Sequence, residues 1–169
     1  MEWVKLPELS IEIGATPVTW QDYAEFAQSI KHPMLAQSRS PQLPLTGFSA
    51  REATAYAQWL SHQWGFTFRL PRLEEMQALA IRVRHGLNIW RCWSRTKHGV
   101  RRRADRCLSE WLDCIPGWTT GREDLQCITL PIWLLEEHDS PQHGALSDRG
   151  YSFVTFRLVW DLSKGARHA

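Results

Sequence analysis

The chain has 169 residues, 43% of them hydrophobic and 22% charged, with a net charge of +2; this is the size and balance of one soluble domain with its own core, not of two. No apolar run approaches the roughly 18 residues a membrane span needs, and the first ten residues lack the basic-then-apolar order of a secretory signal. Four cysteines, at 92, 107, 114 and 127, lack the spacing of a disulfide framework or zinc ribbon, so a cytoplasmic chain with reduced thiols and no membrane partner is expected.

In chain order, Ile11–Val18 reads as an edge strand, because Pro17 cannot donate to a sheet ladder. Thr19 then caps a helix, with Asp22 in a capping-box position. Trp20, Tyr23, Ala24, Ala27 and Ile30 recur at helical spacing. Pro33, Pro41, Pro44 and Gly47 mark residues 31–47 as a surface loop. Ser49 and Glu52 form a second capping box, opening a helix whose buried stripe is Ala53, Tyr56, Ala57 and Leu60 and which Gly65 ends. Phe66, Phe68 and Leu70 alternate as a short strand does. After Pro71 the helical pattern resumes over 73–80 through Leu73, Met76, Leu79 and Ala80. Closely spaced glycines and prolines make 81–149 a region of loops and short strands. At Tyr151–Trp160, Val154, Phe156, Leu158 and Trp160 alternate with Thr155, Arg157 and Val159, the pattern of a half-buried strand.

Four pieces stand in a telling order: Thr16-Pro17-Val18-Thr19 with Tyr23 and Phe26; the block 44–80 with its capped helix and Arg69-Leu70-Pro71; Ser109-Glu110-Trp111; and Thr155-Phe156-Arg157-Leu158-Val159. This order resembles the formylglycine-generating enzyme, or sulfatase-modifying factor, family. The resemblance implies an α+β fold: a single compact C-type-lectin-like domain over residues 1–169. Two helices should flank a small, twisted, mostly antiparallel sheet with large irregular loops, and the N- and C-terminal strands should pair.

The chain also departs from that pattern. Arg72 stands where the family places a helix-capping Thr, Met76 where it has Trp, and Cys107-Leu108 where it has Asn-Val. The family's oxidative members hold copper with two cysteines five apart; Cys127 falls near the first position, but Ile132 occupies the second. One thiolate does not supply the two-sulfur set that copper(I) prefers. Cys127 remains a catalytic candidate, and no cofactor is expected.

The modest net charge conceals a strong polarity. Residues 82–106 hold nine Lys and Arg against Asp105 alone, a local charge of +8, leaving −6 for the rest. Trp90 and Trp93 interleave with Arg91, Arg95, Arg101, Arg102, Arg103 and Arg106, suiting the segment to an acidic protein partner or to phosphates and bases. The plainer reading is a solvated basic loop, or one paired internally with Glu74, Glu75 and the acidic C-terminal half. Glu136, Glu137, His138, Asp139 and His143 gather metal-ligand types in one loop, although charged residues between two prolines are more often a hydrated turn. Cys107 and Cys114 read as buried structural thiols, with a Cys–His pair to His98 or His138 as the alternative. Of the ten tryptophans, Trp20, Trp59, Trp64, Trp111 and Trp160 fall on predicted elements and are assigned to the core, while Trp90, Trp93, Trp118 and Trp133 suit an exposed surface.

The leading functional expectation is a non-catalytic binding module on the family scaffold, using the Arg/Trp segment to engage an acidic macromolecule. The alternatives are a metal-dependent oxidoreductase of the same family, using Cys127 or Glu136, His138 and His143, and a nucleic-acid-binding protein. An accessory protein of a bacterium or bacterial virus would suit so reduced a family member.

Overall fold

A computed structural model describes residues 1–31, 41–84, 93–96, 99–102, 108–113, 125–129 and 142–162. The chain passes through β1 (Trp3–Leu6), β2 (Ile11–Gly14), α1 (Trp20–Ser29), α2 (Ala50–Trp64), β3 (Phe68–Arg69) and α3 (Leu73–Arg84). Short strands follow: β4 (Trp93–Thr96), β5 (Gly99–Arg102), β6 (Ser109–Glu110), β7 (Leu125–Thr129), β8 (Gln142–Leu146), β9 (Val154–Thr155) and β10 (Val159–Asp161).

Both helix starts form as their sequences dictate. The Asp22 N–H donates to Thr19 Oγ1 at 3.2 Å, while the Thr19 N–H donates to the Asp22 carboxylate at 3.0 Å. Ser49 and Glu52 repeat the exchange at 3.2 and 2.8 Å, so each cap satisfies donors the first helical turn leaves open. Gly65 closes α2 in the left-handed region, at φ 72°, its N–H bonded to the Ser61 carbonyl. The 73–80 pattern is a third helix, which extends the two-helix expectation. α3 begins without a capping hydroxyl, since Arg72 has none, yet the reciprocal half of the box survives: the Arg72 N–H donates to Glu75 Oε2 at 2.7 Å.

The four-stranded sheet has the order β1-β2-β10-β3, antiparallel throughout. The N- and C-terminal strands therefore pair, with Val159 opposite Ile13. Ile11–Gly14 is an inner strand, not an edge; Pro17 lies beyond it, and the outer position belongs to β1, which the sequence reading passed over. Leu6, Ile11, Ile13 and Val159 pack with Met76, Leu79 and Ala80 of α3. Phe68 belongs to the other, larger cluster, built on Tyr23, Phe26, Phe48, Tyr56, Trp111 and Phe156. Opposite faces of the sheet thus serve two cores, as the period of two requires.

Two burial expectations are corrected. Residues Val154–Val159 are buried without alternation, Thr155, Arg157 and Val159 included. Both sides of this segment are covered, so it is not half-exposed. Trp64 is 60% exposed: it continues the α2 stripe one turn past Leu60, but the stripe outruns the core there, and the indole meets Phe68 edge-on at 6.1 Å. Trp111 is fully buried, and Trp20, Trp59 and Trp160 pack half-buried against the main cluster. Trp118, Trp133, Cys92, Cys107 and Cys114 lie outside the described residues.

Candidate functional site

The best-defined polar constellation joins the third and fourth motif pieces. β6 and β9 pair in parallel, Glu110 opposite Thr155, which brings Glu110 beside Arg157 across 47 residues of sequence. The Arg157 guanidinium donates to both carboxylate oxygens at 2.6 Å. It also donates to the carbonyls of Gly14 and Ala15 at 2.9 and 3.3 Å, tying the pair to the end of β2. Next to it, the Trp111 indole N–H donates to the Phe48 carbonyl at 2.9 Å. All of these side chains are buried. The polar atoms of Glu110, Trp111 and Arg157 all have partners within the fold, so these three side chains form a structural anchor, not a vacant reactive site.

A second anchor joins β3, α3 and β10. Arg69 donates to Glu75 at 2.8 and 2.6 Å and to Asp161 at 3.0 Å. Burial alone would lower the guanidinium's proton affinity, but the hydrogen bond and charge of Glu75, joined by Asp161, raise it above the ordinary arginine range. Glu75 is thereby committed to Arg69 and the Arg72 backbone, which corrects its assignment as a neutralising partner for the basic segment.

That basic segment is not simply a loop. β4 and β5 form an antiparallel ladder pairing Trp93 with Arg102, Ser94 with Arg101, Arg95 with Val100 and Thr96 with Gly99. The register brings the Trp93–Arg95 stretch alongside Arg101–Arg102 as a two-stranded sheet of its own. Trp90, Arg91, Arg103 and Arg106 lie outside the described residues. Arg82, on α3, makes an exposed ion pair with Glu8 at 3.1 Å, so internal pairing holds for the first cation of the window.

Cys127 lies on β7, opposite Gly144 of β8, with Ile128 opposite His143. The hairpin reaches the main core through Ile128, which is buried and bridges to Trp111. His143 therefore stands on a strand, correcting its placement in one loop with Glu136 and His138, which lie outside the described residues along with Ile132. Among the described residues no three His, Cys, Asp or Glu side chains group as a metal site. Cys127, the residue the family resemblance set near the first copper position, has Gly144 across the ladder and Ile132 five residues on in sequence. This donor set does not fit a two-thiolate copper centre.

The comparisons with known proteins agree with this architecture. A family model described as the sulfatase-modifying factor enzyme 1-like domain matches residues 4–114. Among solved structures the chain is similar to one titled "Structure of PvdO from Pseudomonas aeruginosa", with 15% identity, a TM-score of 0.60, and coverage of 90% of this chain and 80% of that one. No curated protein matches. The chain belongs to the sulfatase-modifying factor family, and it shares the fold of that structural neighbour.

The pairings of Glu110 with Arg157 and of Arg69 with Glu75 were not read from the sequence. Their signal was present in the motif pieces: charged residues embedded in otherwise apolar strand sequence require partners once buried. No helix among the described residues is long and apolar enough to cross a membrane.

Proposed function

We propose that this chain is a non-catalytic binding module on the sulfatase-modifying factor scaffold, and that it engages an acidic macromolecule through the Arg/Trp segment. The observation that carries the reading is the concentration of +8 in residues 82–106, part of it set on the β4–β5 ladder. Like charge at that density repels itself and costs stability unless acids neutralise it. Of the acids that the sequence offered nearby, Glu75 is engaged with Arg69, and within the window Glu8 pairs with Arg82 alone among the described residues. The single thiol at the copper position supports the non-catalytic half of the proposal.

Fluorescence anisotropy with a labelled poly-glutamate peptide, across a salt series, tests it. Binding that weakens steeply with salt is expected, because exposed charges are screened beyond about 10 Å at 0.1 M. Generic duplex DNA as competitor at low salt separates the classes of partner: displacement by DNA in preference to acidic peptide would move the reading to nucleic acid.

A further inference from the structure

The outer edge of the four-stranded sheet carries a second surface. β1 has β2 on one side only. The bond from the Ala15 N–H to the Glu2 carbonyl, 2.9 Å, fixes which β1 residues face inward. With the register Trp3 opposite Gly14 through Leu6 opposite Ile11, Glu2, Val4 and Leu6 bond toward β2. The backbone groups of Trp3 and Lys5 point away from it. The far side of β2 obeys the same alternation: the Gly14 N–H bonds to the Leu158 carbonyl, and the Ser10 carbonyl accepts from Leu162, both at 2.9 Å. On their outward side the Trp3 and Lys5 backbones have no partner among the described residues.

We propose that this edge pairs with the same edge of a second copy of the chain, antiparallel about a two-fold axis through Val4. The two sheets would become one of eight strands. Within the strand, a symmetric antiparallel pairing that matches outward residues with outward residues has three possible centres. Centring on Lys5 sets the two ammonium groups opposite each other, which destabilises the pair. Centring on Trp3 leaves one hydrogen-bonded pair within the strand. Centring on Val4 sets Trp3 opposite Lys5 twice, giving four backbone hydrogen bonds and an indole across from each ammonium, a cation–π arrangement.

An edge lysine ordinarily discourages such pairing, but here the favoured register gives it an aromatic partner. Lys5 is 72% exposed and already 3.6 Å from Glu12, which moderates repulsion between the two lysines across the diagonal. Pro7 follows the strand, and its missing N–H ends the ladder on both sides. So short an interface makes a weak, concentration-dependent dimer.

Two variants test the pairing by analytical ultracentrifugation and crosslinking of the full chain. Lys5→Pro removes an N–H that faces away from β2, so the chain's own ladder keeps its bonds. Val4→Cys places a thiol on the axis, in a non-hydrogen-bonded pair with Cα atoms about 4.5 Å apart, within the roughly 4.4–6.8 Å that a disulfide spans. Wild type should rise from 19.7 kDa toward twice that mass with concentration. Lys5→Pro should need at least about tenfold more protein for the same dimer fraction, and Val4→Cys should form a disulfide-linked dimer above the wild-type background under mild oxidation. If Lys5→Pro fails to fold, the Val4→Cys crosslink decides. Wild type monomeric at its highest soluble concentration, Lys5→Pro dimerising equally well, or no added crosslinking in Val4→Cys would overturn the proposal. A monomer that instead captures extended peptides at β1 would also overturn it.

Discussion

Arg157 holds Glu110 in a two-pronged ion pair at 2.6 Å, with side chains only 5% and 4% exposed. One residue comes from the closing segment of the chain and the other from β6, and the guanidinium also reaches the carbonyls of Gly14 and Ala15. The pair therefore fastens three distant stretches at one point. Neither charge is tolerated alone at that depth, so the two must be kept or removed together.

Glu110→Ala should accordingly destabilise the fold by about 3–5 kcal/mol, because it leaves a buried guanidinium without its carboxylate. Replacing both residues with apolar side chains of similar volume should cost much less than the sum of the single changes. Urea unfolding of the two single variants and the double variant checks this; additive losses would show that the pair does not act as a unit.

Tyr23 and Tyr56 separate two roles of a buried phenol. The Tyr56 hydroxyl donates to the Asp22 carbonyl at 2.9 Å, whereas the Tyr23 hydroxyl is buried with no hydrogen-bond partner among the described residues. Tyr56→Phe should lose about 1 kcal/mol, and Tyr23→Phe should be neutral or stabilising. Tyr56→Ala, which empties the centre of the aromatic cluster, should cost about 3–5 kcal/mol. Equal losses in the two Phe variants would contradict the assignment.

The same residues set an alkaline limit. Burial first, then the charge of Glu52 on Tyr23 and of Asp22 on Tyr56, raises both phenols above their ordinary value of 10.0. A raised folded-state value means the unfolded chain releases its protons first. The contribution is complete below about pH 10 and is lost as pH climbs above it. Stability should therefore fall in that range, and less steeply in Tyr23→Phe/Tyr56→Phe. An unchanged slope would place the sensitivity elsewhere.

Much of the scaffold was legible because its signals are local. Ser49 with Glu52, Thr19 with Asp22 and Gly65 each specify a helix boundary within four residues, and all formed as read. That the N- and C-terminal strands pair was reached through family resemblance, while their register, Ile13 opposite Val159, left no local trace in strands so far apart. β1 was missed because Trp3–Leu6 is too short to show a period. The burial of Thr155 and Arg157 depends on Glu110 and the helices packing from opposite sides, which alternation along one strand does not reveal. At the candidate site the sequence supplied the charge and the aromatic content of the segment, but Lys97-His98, between the two paired stretches, carries no strong hairpin signature from which the β4–β5 ladder could be read.

The presence of Ile132, and not a second cysteine, five residues after Cys127 gives a chemical prediction. Incubation with copper(I), oxygen and a sulfatase-type cysteine peptide should leave the peptide unmodified by mass spectrometry. Turnover that vanishes in Cys127→Ser would reverse the reading and make the chain an oxidoreductase of its family.

The most direct test of the binding proposal is the replacement of Arg101, Arg102 and Arg103 with Ala, measuring acidic-peptide affinity and Tm on the same preparation. Removing three cationic side chains should weaken binding at least about tenfold, and flatten its salt dependence, while Tm stays nearly unchanged. A variant with lowered Tm and unaltered affinity would show that these arginines are paired inside the fold, and would contradict the account.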